Sequence, residues 1–251
     1  VTAADADLTP LDAVGTRFES HARSHSGARR TANEDRMLDR PDLGFWAVAD
    51  GMGGLASGDL AAEQVTGAVA AAAGRTGSGY ARLNRLVAAL EQVNTDIFRR
   101  TAKPQDASGS TVVALLAHEG HFACLWAGDS RAYLYRAGEL KLVTRDHSVV
   151  QQLVDDGVVS ETARRAHPFS HVLTRAVGTS GSLEIDRSFG AIQAGDVFLL
   201  CSDGLTNALS DAEIARALEG QDLAAAADAL IAEALDHAAA DNVSVVLVRQ
   251  T

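Results

Sequence analysis

The sequence predicts an α+β fold built on antiparallel sheets, and three observations lead there. The stretches "STVVALLA" (110–117), "HFACLWAG" (121–128), "RAYLYR" (131–136) and "ELKLVT" (139–144) follow one another as strand-like apolar runs. The joints "HEG" (118–120) and "AG" (137–138) are short enough for hairpins, which only antiparallel neighbours can use. Helix-like segments are gathered in pairs on either side of these strands instead of alternating with them, which argues against a doubly wound parallel sheet.

Taken in order, "GFWAVAD" (44–50) reads as a buried strand, and "LAAEQVTGAVAAAAG" (60–74) as an Ala-rich helix ended by the loop "GRTGSG". In "YARLNRLVAALEQVNTDIFRR" (80–100), Leu83, Leu86, Val87, Leu90, Val93 and Ile97 recur at helical spacing. The loop "KPQDASG" (103–109) leads into the hairpin strands. Residues 147–182 break their rhythm: "SVVQQLVDDG" and "SETARRAH" read as short helices, followed by a polar, Gly-containing approach to the next strand. The glycine and polar content after Gly157 predicts a mobile part that contacts protein substrates. "EIDRSFGAI" (184–192) and "DVFLLCS" (196–202) return to strand, "SDAE" (210–213) is a capping box opening a helix, "LAAAADALIAEALDHAAA" (223–240) is a further helix, and "VSVVLVR" (243–249) is a last strand.

The chain has 251 residues and no Pro/Ser-rich linker, so one domain is expected over 16–251, behind an N-terminal tail at 1–15. A composition of 47% hydrophobic and 22% charged residues argues against disorder. The net charge of −11 disfavours nucleic acid or an anionic membrane as partner, since both attract basic surfaces. Cys124 and Cys201 both lie in apolar runs and are expected to be buried free thiols. No apolar run reaches the length of a membrane span, and the acidic first fifteen residues lack a signal peptide's basic start and apolar core. A reducing cytoplasm is the expected location.

The residues that point to chemistry are carboxylates at strand edges. Asp50 ends "WAVAD", Asp129 follows "CLWAG", Asp203 follows "FLLCS", Asp241 precedes "NVSVVLV", and Glu34 and Asp35 open a further short segment. Glycine adjoins three of them, as Gly51, Gly128 and Gly204. A single Asp–Gly pair is an ordinary turn, and Asp196 in "AGDVF" is read as one. Several carboxylates converging at one sheet edge are different, because each close pair repels by about 1–4 kcal/mol at surface-like dielectrics. A cation relieves that repulsion, and an all-oxygen ligand set suits Mg²⁺ or Mn²⁺ rather than Zn²⁺. His118 and His121 flank a hairpin turn, and His21 and His25 stand in a polar stretch without other soft ligands, so surface roles are expected for both pairs. "GMGG" (51–54) lacks the lysine of a phosphate-binding P-loop and the dinucleotide fingerprint.

In order along the chain stand "RRTANED" (29–35), "VADGMGGLASGDLAA" (48–62), "SGSTVVALL" (108–116), "AGDSRAYLYR" (127–136), "TRDHS" (144–148), "HVLTRAVG" (171–178), "LLCSDGLTNALSD" (199–211) and "ADNVSVVLV" (240–248). Together they resemble the metal-dependent protein phosphatases (PPM, type 2C-like serine/threonine phosphatases) in their bacterial form, from about residue 20 to the end. The resemblance implies a β-sandwich of two antiparallel sheets flanked by helix pairs, in α-β-β-α layers, with a flap near 147–182. It implies hydrolysis of phosphoserine and phosphothreonine by a metal-activated water at a binuclear Mn²⁺ or Mg²⁺ centre. By the same resemblance Asp50 is the bridging ligand, Gly51 contributes its carbonyl, and Asp203 and Asp241 complete the first metal's ligands. Glu34 and Asp35 match acidic residues around the second metal, Asp129 with Asp203 matches a weaker third site, and Arg30 matches the phosphate clamp. The implied partners are phosphorylated proteins, including a serine/threonine kinase and its targets, and a monomer is expected. The alternative of the same fold is a pseudophosphatase that binds phosphoproteins without turnover, which would be marked by lost ligands; every matched acidic position is present here. Met52 stands where eukaryotic relatives carry a histidine proposed as general acid, so the leaving group must take its proton elsewhere. His147 is expected to be structural.

Overall fold

Two antiparallel sheets pack face to face, and each carries helices on its outer side. The computed structural model describes residues 17–53, 57–100, 108–220 and 222–251. The expected tail at 1–15 and most of the loop 103–109 lie outside the described residues. One sheet has the order β1 (Phe18–His25), β11 (Val243–Gln250), β10 (Val197–Cys201), β7 (Arg131–Arg136), β8 (Glu139–Leu142). The other has the order β2 (Asp35–Arg40), β3 (Phe45–Met52), β5 (Val112–His118), β6 (His121–Ala127), β9 (Asp186–Ala191), with the two-residue β4 (Gly109–Ser110) pairing β3.

The central strands β3, β5, β6, β10 and β11 are apolar on both faces because both faces are covered, and their period of two sorts side chains between layers. On β3, Trp46 and Val48 enter the core between the sheets, where they meet Leu115, Trp126, Phe198, Leu200, Val246 and Val248. Phe45, Ala47 and Ala49 face the other way, onto α1 (Ser57–Ala73) and α2 (Gly79–Arg100). On β11, Val243, Val245 and Leu247 similarly face α5 (Asp211–Leu218) and α6 (Leu223–Asp236). The helical spacing read in 80–100 is the buried stripe of α2, with Leu86, Leu90, Val93 and Ile97 inside. The capping box at Ser210 forms: its side chain accepts from the Glu213 N–H, and Glu213 accepts from the Ser210 N–H at 2.7 Å. Cys124 and Cys201 are buried and free, with burial pushing both thiols up to about 12.

Among the elements that escape the sequence reading, two matter most. The polar stretch around His21 and His25 is an edge strand, β1, paired along its length with β11. Its inward residues Phe18 and Ala22 pack on the inter-sheet core, while outward Arg23 bonds Asp228 on α6, so polar residues there mark a helix-covered face. The second is α4 (Asp203–Ala208), a short helix starting at one of the key carboxylates. The hairpins hold at His118↔His121 and Arg136↔Glu139. Between β6 and β7, however, the chain leaves one sheet and enters the other through Gly128, Asp129 and Ser130.

Residues 147–182 contain α3 (Val149–Asp155), capped by Ser148, and a 3-10 helix at Glu161–Ala166. The mobility expected after Gly157 meets two anchors. Arg164 donates to the buried Asp146 at 2.8 Å, and Arg165 donates to the Leu209 carbonyl.

Candidate active site

The same alternation that fills the core places the carboxylates. Asp50 continues the Trp46–Val48 face of β3, and Asp35, paired with Asp50 across β2–β3, continues the inward face of Met37. Both therefore lie at one open end of the sandwich, on the side between the sheets. Ser202 and Ser244 extend the inward faces of β10 and β11, and each hydroxyl donates to Asp35 Oδ2 at 2.7 Å. The sheet crossing delivers Asp129, the start of α4 delivers Asp203, and the turn into β11 delivers Asp241.

These side chains line one cleft of about 1100 Å³, with Asp50, Gly51, Met52, Asp129, Asp203 and Asp241 joined by Glu34 and Arg30. Asp35 lies behind it, 4% exposed. Of the sequence-predicted site residues, the structure thus brings all but Asp35 to the cleft wall and puts Asp35 directly beneath. Burial, then Asp35, Asp203, Asp129 and Asp241, push the Asp50 carboxyl well above the usual range. Burial and then Asp203 and Asp146 do the same to Asp129, and burial above all raises Asp35 to about 6. Like charges are being held together against their repulsion.

The loop carrying Arg30 is fastened by Asn242. Its amide donates to the Ser26 and Ala32 carbonyls at 2.9 Å each, and its Oδ1 accepts from the Glu34 N–H at 2.8 Å. Gly27, at φ +77°, lets this loop pass against the Asp241 carbonyl, where a Cβ would collide. Arg30 donates to Asp241 Oδ2 at 2.7 Å, and that pairing raises the guanidinium's pKa further. His171 also lines the cleft, with Nδ1 3.9 Å from Asp203 Oδ2. Thr111 Oγ1 accepts from the Asp50 N–H at 2.9 Å and is 2.7 Å from Ser130 Oγ, tying the crossing to β3. His147 is structural as expected: Nδ1 accepts from the Gly128 N–H at 3.2 Å, Nε2 is 3.2 Å from Asp186, and burial lowers its pKa.

Thr111, Ser202, Ser244 and Asn242 were missed by the sequence reading. Their signal was present, as single hydroxyl or amide residues interrupting or bordering otherwise apolar strands in "STVVALL", "FLLCS" and "NVSVVLV".

The donor set fits hard divalent cations. Asp35 Oδ1 is buried without a hydrogen-bond partner, an acceptor left unmatched by the protein. The walls around the Asp50 backbone are narrow: a Cβ on Gly51 would run into the Gly58 carbonyl and lie 2.9 Å from the Glu34 carbonyl oxygen. Gly51→Ala is therefore expected to cost about 1–3 kcal/mol of stability, measured by urea unfolding; an unchanged midpoint would contradict this packing. Among the described residues, three ligand-type side chains come within 4.8 Å of one another only at Glu213, Glu233 and His237. There Glu213 caps α5 and Glu233 pairs with Arg216, so both carboxylates have structural duties.

A model of the family described as protein phosphatase 2C matches residues 22–247. The chain belongs to this family. Among curated relatives of this protein phosphatase 2C domain, the serine/threonine protein phosphatase PstP of Mycobacterium tuberculosis is 37% identical over 228 residues. That match takes in 90% of this chain but 44% of PstP, so the chain spans about half the length of that relative. The serine/threonine phosphatase stp of Listeria monocytogenes is 32% identical, with 91% of this chain and 94% of that protein covered. The crystal structure of the PstP catalytic domain in complex with two manganese ions superimposes with a TM-score of 0.83 at 34% identity, covering 92% of this chain and 97% of that one. By family and fold this is a protein phosphatase 2C domain, with the two antiparallel sheets and flanking helices that the sequence predicts. No helix among the described residues is long and apolar enough to cross a membrane.

Proposed function

We propose that residues 16–251 form one catalytic domain that hydrolyses phosphoserine and phosphothreonine in proteins at a centre of two divalent cations, Mn²⁺ or Mg²⁺. The observation that carries this reading is the convergence of Asp50, Asp129, Asp203 and Asp241 with Arg30 in one cleft at the sandwich end. Asp50, the Gly51 carbonyl, Asp203 and Asp241 would hold the first cation, with Asp50 also serving the second. Glu34 and Asp35 would serve the second, and Asp129 with Asp203 a weaker third. When bound, such a cation pair supplies Lewis acidity and a water of lowered pKa.

The chain's own residues do the rest. Arg30 stands at the cleft with one nitrogen on Asp241 and would receive the phosphate through its planar fork. Asn242 and Gly27 hold the Arg30 loop in that position. Met52 lines the same wall and has no proton to give, so the leaving alcohol is not protonated from that position. Ser202 and Ser244 keep Asp35 ordered beneath the cleft, where its free oxygen remains as an acceptor. Phosphorylated kinases and their targets are the substrates and partners this chemistry fits.

The test is phosphate release by the purified chain from p-nitrophenyl phosphate and a phosphothreonine peptide. Activity is expected with Mn²⁺, is expected to vanish in excess EDTA, and is expected to return on adding the cation. Undiminished turnover in excess chelator, or none with Mn²⁺, would overturn the reading.

A further inference from the structure

Scattered exposed apolar side chains are ordinary on any protein surface. Here, however, three of the eight large apolar residues exposed among the described residues, Val158, Phe169 and Val172, fall within 147–182. Two of them share one turn. Phe169 and Val172 are 53% and 44% exposed, and the Val172 N–H donates to the Phe169 carbonyl at 3.1 Å.

This turn is built, not loose. The Ser170 N–H donates to the His167 carbonyl at 3.0 Å, and the Phe169 N–H donates to His167 Nδ1 at 3.2 Å. The His167 and Phe169 rings pack with centroids 5.5 Å apart. Its stem is paired to the body: the Val149 N–H donates to the Val172 carbonyl and the Thr174 N–H to the His147 carbonyl, each at 2.8 Å. On its other side, Arg164 and Arg165 hold the preceding 3-10 helix down. A side chain as costly to expose as Phe169 is thus presented to water on a fixed frame.

The turn is also continuous with the active-site cleft. His171 and Val172 both line it, and His171 reaches to 3.9 Å from Asp203. This wall is one that the flanking chain of a phosphorylated residue seated over Asp50 and Asp203 can follow out of the cleft. An extended peptide advances about 3.3 Å per residue, so residues near the phosphate stay within reach of the cleft wall, of which Val172 is part. Beside the turn, Arg175 is engaged with Glu184 and Asp186, and the exposed side chains that the turn itself offers at Phe169 and Val172 are apolar.

We propose that Phe169 and Val172 form an apolar shelf that receives a hydrophobic side chain beside the phosphorylated residue, so that the substrates are phosphoproteins with an apolar residue next to the phosphosite. This rests on the phosphatase reading above and adds the substrate class to it. The test compares kcat/KM of the Mn²⁺-loaded chain on two phosphothreonine peptides, identical except for Leu or Ser at the second position on both sides. Burying one such side chain predicts a preference for the Leu peptide of about tenfold. Phe169→Ser should erase that preference and Phe169→Leu keep it, with turnover of p-nitrophenyl phosphate unchanged in both. Val172→Thr should weaken the preference in the same sense. Equal use of the two peptides by the unmodified chain, or a preference that survives Phe169→Ser, overturns the shelf while leaving hydrolysis intact. No turnover of any substrate would overturn the phosphatase reading, and the shelf with it.

Discussion

Asp50→Asn should keep its fold and lose hydrolysis by roughly 10²–10³-fold or more. The amide preserves the shape of the side chain and removes the charge that would bridge two cations. The fold should survive because the bonds that fix this position belong to the backbone: the Asp50 N–H donates to Thr111 Oγ1 and its carbonyl accepts from the Thr111 N–H, each at 2.9 Å. A second consequence has the opposite sign. In the cation-free protein the Asp50 charge is opposed by burial and by Asp35, Asp203, Asp129 and Asp241. A neutral amide relieves that strain, so cation-free Asp50→Asn should melt higher than the cation-free parent. Each kcal/mol relieved is worth about 2–4 °C in a domain of this size. Mn²⁺ should then raise the parent's Tm strongly and the variant's little. Near-parental turnover at saturating Mn²⁺, or an equal Mn²⁺-induced shift in both proteins, would show that Asp50 is not a ligand.

The largest stability effect is expected away from the cleft, at Asp146. Its carboxylate is 4% exposed, takes a bidentate pair of bonds from Arg131 at 2.7 Å each, and accepts a third from Arg164. Arg131 is equally buried; burial opposes its charge, yet the Asp146 partnership outweighs this and raises its pKa. Asp146→Ala would leave a guanidinium inside the protein without its counter-charge, at a cost of about 3–5 kcal/mol. The same change leaves Arg164 only its local partner Glu161 and so loosens the anchored part of the 147–182 segment, which limited proteolysis should register. Combining Arg131→Met with Asp146→Leu should recover much of the stability, because an apolar pair carries no desolvation cost. A urea-derived loss below about 1 kcal/mol for Asp146→Ala would place the pair among weak surface contacts.

The strands, the long helix and the Ser210 capping box were legible because each is written in a local period or a local bond. β1 was not, since its outward face meets α6 through Arg23 and Asp228 and so carries polar residues where a half-buried strand usually reads apolar. α4 was not, because its six residues, Asp203–Ala208, are too few to show a helical period. The bonds of Arg164 and Arg165 were not legible either, because they reach partners far away in sequence.

The sequence by itself determined the class of fold and nominated the acidic residues, because residue type and strand period are local properties. Eight ordered motifs were enough to mark the family, and to pick out Asp50, Asp129, Asp203, Asp241, Glu34, Asp35, Gly51 and Arg30. Only the tertiary structure decided how these residues divide. Glu34 faces the cleft while its neighbour Asp35 turns beneath, held by Ser202 and Ser244 from two other strands. Only the fold shows that Asn242 fastens the Arg30 loop, and that Asp129 reaches the site because the chain changes sheets there. The physical reason is that burial and repulsion depend on distances between strands far apart in the chain. Those distances are fixed by how the two sheets pack, and no local pattern encodes them.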